Sequence, residues 1–167
     1  MEITYLNHSC FLIKNTINGK NITVLTDPFG DSADPNFKKI PADIVLISNL
    51  HSDHTNIAVV EGLSSLDLNN ESFEAFLNKP FLIKRPGEFE VKGVRIKGIQ
   101  SSHDDKNGVN RGENTIYTIT SENIKVCHLG DLGHLLTEKQ LEDIGNVDVL
   151  LIPVGGDTTI NAETACE

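Results

Sequence analysis

The stretch ISNLHSDHTN, Ile47 to Asn56, places His51, Asp53 and His54 within one short segment directly after the apolar run Ile44–Ile47. A continuously apolar run of this length reads as a strand covered on both faces, here Ala42–Ser48, which hands its polar groups to the loop at its end. For an isolated H-x-x-H pair the ordinary reading is a polar loop with two exposed histidines. Asp53 between the two tips the balance, because a carboxylate near a cation stays ionised and can take a proton from water. Imidazole and carboxylate together suit Zn²⁺, as one or two ions, with Mn²⁺ or Fe²⁺ as alternatives.

Composition frames that expectation. At 167 residues the chain is expected to form a single domain over residues 1–167, with one substantial core. No apolar run approaches the ~18 residues of a membrane span, and MEITYLNHSC carries no basic leader pattern, so a cytoplasmic protein is expected. The cysteines, Cys10, Cys127 and Cys166, are odd in number and irregularly spaced, which suits reduced thiols better than a disulfide framework. With 14 basic against 24 acidic residues the net charge is −10, which disfavours nucleic acid as a partner and suits a cation.

Outward from residues 47–56 the chain is rich in short strand-like runs separated by Gly, Asn, Asp and Pro. Ile3–Leu6, Cys10–Ile13 and Ile22–Leu25 read as a meander, with Asn18-Gly19 as a turn that tolerates positive φ. Phe81–Ile83, Glu88–Val91, Val94–Ile99, Thr115–Thr120, Ile124–Leu129 and Val147–Ile152 are further strand candidates. Helical signals are few. TEKQLEDIG offers a capping box of Thr137 with Gln140 and a stop at Gly145, and ESFEAFLN (residues 71–78) places Phe73, Phe76 and Leu77 on one face. The class is therefore mixed α/β.

Metal-capable side chains recur at the ends of these strands: His8, the His51/Asp53/His54 group, His103 with Asp104 and Asp105, and Asp131. Each alone has a bland reading, as a surface histidine, a turn aspartate beside glycines or, for His8 and His128, a structural imidazole. Their repeated placement at strand ends is the signal, since strand ends of one sheet edge can converge.

On these residues the chain resembles the metallo-β-lactamase superfamily of metal-dependent hydrolases. The resemblance is carried by Asp27 in LTDP, by NLHSDH against the family's H-x-H-x-D-H, by His103, and by Asp131 in LGDLGH. YLNHSCFLI, PGEFEVKG, RGENTIYTI and LIPVGG look like the group related to L-ascorbate-6-phosphate lactonases. The resemblance implies an αββα sandwich of mixed sheets with metals at one sheet edge, incomplete at the C-terminus, where the family's final strand and helix segment with its last histidine has no counterpart. It implies one metal position at Asn49, His51 and His103, and a second at Asp53, His54 and Asp131. Asn49 stands where the family has histidine, and an amide oxygen is a poor substitute toward Zn²⁺. His134, three residues after Asp131, is a candidate substitute ligand.

The leading expectation is metal-assisted hydrolysis of a small ester, lactone or phosphoester, in which a metal-bound hydroxide attacks and Asp53 orients the water or accepts its proton. Asp27 is expected to fix a ligand imidazole or the strand end by hydrogen bonding, and His8 to line the substrate pocket. The alternatives are a metal-impaired binding or assembly domain, or a fragment of a longer enzyme, and then a nuclease of the same superfamily. Uncovered sheet surface makes a homo-oligomer a further expectation.

Overall fold

Runs of β-branched and aliphatic residues broken by tight turns become ten strands among the residues that the computed structural model describes, 1–30, 39–63 and 80–167. They fall into two units, Met1–Ile83 and Lys84–Glu167. The helix expected over residues 71–78 lies outside the described residues.

The first unit is a five-stranded sheet in the order β1 (Glu2–Asn7), β2 (Cys10–Ile17), β3 (Lys20–Thr26), β4 (Ile44–Leu46), β5 (Phe81–Ile83). The first three strands form the expected antiparallel meander, and β3, β4 and β5 run parallel. Asn18 and Gly19 take φ of 50° and 76° between Ile17 and Lys20, the left-handed pair that a two-residue hairpin turn needs. Register puts Leu12, Leu25, Val45 and Leu82 in one row, and they pack with Cys10, Ile47, Ile57, Val59, Val60 and Leu63. The alternate residues Ile13, Val24, Ile44 and Leu46 are also fully buried, so β4 is covered on both faces, as its unbroken apolar sequence requires.

The second unit is a five-stranded sheet in the order β10 (Val149–Leu151), β9 (Ile124–His128), β8 (Glu113–Ser121), β7 (Val94–Ser102), β6 (Gly87–Val91). Only β9 and β10 pair parallel, and helix α1 (Glu138–Ile144) lies between them in sequence. Both halves of the Thr137–Gln140 capping box form, and Gly145 closes the helix at φ 61°. Lys97 on β7 anchors α1 through its Nζ, which donates to Asp143 Oδ1 at 2.7 Å. Ile99, Ile116, Cys127, Leu129, Leu132, Ile144 and Ile160 form this unit's core. Because β7 and β9 flank β8 antiparallel, their C-terminal ends emerge at the same sheet edge, where His103 and Asp131 follow.

Candidate functional site

In the first unit, polar groups gather where β3 and β4 end. The chain leaves β3 at Asp27, which has φ 38° and donates its N–H to Leu46 O at 2.8 Å. A fully buried carboxylate needs donors. Asp27 accepts from Ser48 N–H at 2.7 Å and from the Ser48 hydroxyl at 2.9 Å. Its Oδ2 lies 3.4 Å from Nδ1 of His54, whose side chain is likewise fully buried. The carboxylate thus ties the end of β3 to Ser48 and lies beside the His54 ring.

The turn after β4 is wound by its own side chains. Asn49, 4% exposed, accepts the His51 N–H on its Oδ1 at 3.0 Å, an Asx turn, and its Nδ2 donates to Ser48 Oγ at 3.4 Å. His51 O then accepts both the His54 N–H and the Thr55 hydroxyl, each at 3.0 Å. This winding turns His54 inward and leaves His51 and Asp53 exposed. Asn49 therefore supports the turn through the oxygen that the sequence offered as a weak ligand.

His8 arrives from the turn between β1 and β2. Asn7 and His8 have φ of 144° and 53°, and the His8 N–H donates to Asn7 Oδ1 at 2.8 Å. Thr26 ties this turn to the end of β3: its hydroxyl donates to Ser9 O at 2.9 Å and accepts the Phe11 N–H at 3.0 Å. The His8 ring stacks on Phe29 at 5.5 Å between centroids and meets His54 edge-on at 4.8 Å. His8 Nε2 stands 3.2 Å from Asp53 Oδ2. One donor atom each from His8, Asp53 and His54 lies within 4.8 Å of the others. His8, a metal-capable side chain whose ordinary reading is structural and whose place by resemblance is the pocket lining, is thus brought into the donor group.

In the second unit the ends of β7 and β9 bring His103 Nε2 within 3.6 Å of Asp131 Oδ2, both largely buried. Asn114, 1% exposed, holds the pair in place: its Oδ1 accepts the Asp131 N–H at 3.0 Å, and its Nδ2 donates to Ser101 Oγ at 2.7 Å and Leu129 O at 2.9 Å. Asn114 was absent from the candidates, and the signal for it was a lone amide opening the apolar run in ENTIYTI. Burial would raise the Asp104 carboxyl, but the N–H groups of Arg111, Lys106, Gly108 and Asn110 all donate to it and bring it down to about 2. Asp104 therefore folds the loop that follows His103. Asp105 is exposed and belongs to neither donor group among the described residues.

His134 has a backbone role. Its Nε2 accepts the Ser102 N–H at 3.2 Å and its Nδ1 faces Leu135 O at 2.7 Å, which fixes the proton on Nδ1. His128 is buried within β9, the interior place expected for it. Burial pushes the Cys10 and Cys127 thiols up to about 12, which keeps both protonated at neutral pH and leaves them to packing.

The described donors are imidazoles and carboxylates backed by hydrogen-bonded carboxylate and amide partners, the set that suits zinc-type divalent ions. A family model described as a beta-lactamase superfamily domain matches residues 2–167. The chain is 28% identical over 176 residues to a UPF0173 metal-dependent hydrolase of Methanoculleus marisnigri, covering 99% of this chain and 73% of that protein. It is 27% identical over 180 residues to a UPF0173 metal-dependent hydrolase of Geobacillus thermodenitrificans, covering 99% and 78%. Among solved structures, a candidate Zn-dependent hydrolase of the metallo-β-lactamase superfamily from Thermotoga maritima matches with a TM-score of 0.67 and 37% identity. That match covers 98% of this chain and 66% of the other. No helix among the described residues is long and apolar enough to cross a membrane. The two mixed sheets are those of the metallo-β-lactamase fold, and the chain belongs to the metallo-β-lactamase superfamily, among relatives named as metal-dependent hydrolases.

Proposed function

We propose that this protein is a metal-dependent hydrolase that opens a small ester, lactone or phosphoester, with Zn²⁺ as the ion. The observation that carries the reading is the convergence of Asp53 and His54, set by the buried Asp27, at the end of β4. Within the first unit Asp53 and His54 are the residues that would hold a cation, with His51 presented from the same turn as Asp53; within the second, His103 and Asp131 are a further candidate donor pair. When bound, a divalent ion there supplies Lewis-acid polarisation of a carbonyl or phosphoryl oxygen and makes water more acidic.

The chain's own groups supply the rest. Asp27, beside Nδ1 of His54, holds that ring so that its Nε2 edge keeps one direction. Asp53, exposed to solvent, accepts the proton of the attacking water and aims that water at the substrate. Asn114 fixes the backbone at Asp131, and Asp104 fixes the loop beyond His103, so the second unit's donors do not reorganise as charge develops. The lactone class is favoured by the resemblance of YLNHSCFLI and PGEFEVKG to the lactonase-related group.

The test is metal content and turnover together. Protein stripped and reloaded with Zn²⁺, Mn²⁺ or Fe²⁺ is assayed on a lactone, an aryl ester and an aryl phosphodiester. Metal-dependent turnover is expected, and Asp53→Ala is expected to lower kcat/KM by about 10²-fold or more. Undiminished turnover in Asp53→Ala would remove the assignment. Bound metal below about half an equivalent would favour a non-catalytic domain instead.

A further inference from the structure

We infer that His8 is a metal ligand, completing a three-donor set with Asp53 and His54 within the first unit. The inference rests on the metal-dependent reading of the site and adds a residue to it.

Three observations point the same way. First, His8 Nε2 and Asp53 Oδ2 are 3.2 Å apart. Two ligands on one tetrahedral zinc, each at about 2.0–2.1 Å, are separated by about 3.3 Å. The third donor, on His54, lies within 4.8 Å of both. Second, the ring is set in place rather than left to roam: it is stacked on Phe29 and edge-on to His54, and its turn is tied to the end of β3 by Thr26. Third, two consecutive non-glycine residues, Asn7 and His8, hold positive φ to present it. Backbone of this kind is strained and persists where its surroundings enforce it. The side chains of His8 and Asp53 are 35% and 49% exposed, so an ion can reach them from solvent.

A role confined to hydrogen bonding with Asp53 predicts a different result. A residue that merely supports a ligand changes metal affinity by about 10–100-fold and leaves the coordination sphere intact. A ligand, when removed, changes the sphere itself.

The variant of choice is His8→Asn, because asparagine tolerates the left-handed backbone that His8 occupies and the turn is kept. Metal-free wild type and variant, matched by circular dichroism, are titrated with Co²⁺ and the visible d–d absorption is recorded. We expect wild type to bind Co²⁺ with an intense, low-coordinate spectrum. His8→Asn should bind more than about tenfold more weakly at one site, with weakened and shifted bands. His8→Gly, also compatible with the turn, should regain the wild-type spectrum when imidazole is added. A His8→Asn spectrum identical to wild type overturns the inference and leaves the metal-dependent reading standing. Failure of imidazole to restore the His8→Gly spectrum also overturns it. Failure of folded wild type to bind Co²⁺ at all overturns both.

Discussion

Gly133, two residues after Asp131, lies against the backbone of His103 and Asp104, and replacing it with alanine is a sharp perturbation of the second unit. A Cβ there would lie 2.4 Å from the His103 carbonyl carbon and oxygen and 2.5 Å from Asp104 N. Ordinary contact begins near 3.4 Å, so the two backbones must part by about 1 Å. Neither side can yield by rotating a side chain, because the obstructing atoms are main chain and Gly133 N–H is bonded to Ser102 O at 3.1 Å. Overpacking of this sort costs about 1–3 kcal/mol, and backbone obstruction belongs at the upper end. For a chain of this length, about 3 kcal/mol lowers Tm by roughly 6–12 °C. The functional loss should be larger in proportion, because a displacement near 1 Å between His103 and Asp131 can cost about 10²-fold in turnover. The control is Gly19→Ala, at φ 76° with open space around it. Left-handed strain there costs about 1–2 kcal/mol, and activity should survive. Differential scanning calorimetry and metal-dependent turnover on both variants decide the matter. Gly133→Ala with a Tm within 1 °C of wild type and turnover within about twofold would refute the positioning argument.

Asp27→Ala orphans the buried Ser48 N–H and hydroxyl, and should cost about 3 kcal/mol in denaturant unfolding, whereas Asp27→Asn keeps an acceptor and should cost less. A loss under about 1 kcal/mol for the alanine variant would contradict the hydrogen-bond assignment. Asp104 makes a pH prediction. Its carboxyl sits at about 2 in the fold against an ordinary 3.8, so its contribution is present above the ordinary value and is lost as pH falls toward 2. The Tm difference between wild type and Asp104→Asn should therefore shrink between about pH 4 and pH 2, and a difference flat across that range would refute it. Finally, Cys10 and Cys127 are buried with thiols near 12 and Cys166 is exposed. Iodoacetamide near pH 8 should label Cys166 alone in the folded protein and all three cysteines in denaturant, as intact mass will show.

Much of the fold was legible because its signals are local. The apolar run Cys10–Ile13, the Asn18-Gly19 turn and the unbroken apolar run before His51 each act within a few residues, and the capping box of α1 is a contact over three positions. Edges were less sharp: Val147–Ile152 shortened to Val149–Leu151 and Ala42–Ser48 to Ile44–Leu46, since pairing partners rather than composition decide where a ladder stops. The donor residues were visible through chemistry at strand ends. Their supporting contacts were not, because they depend on register. Nothing local says that Thr26 will reach Ser9, or that Asn114 will grip the backbone of Asp131. His8 is the clearest instance, since only the turn geometry between β1 and β2 places its ring against His54 and Asp53.

The Asx turn at Asn49 ties the shape of the loop to the residue that stands where the family has histidine. Asn49→His would supply an imidazole, yet would withdraw the oxygen that receives the His51 N–H and unsettle the segment that carries Asp53 and His54. Donor identity and loop shape are coupled at this one position. A designer moving toward H-x-H-x-D-H from this sequence has to supply an acceptor for that amide together with the new imidazole.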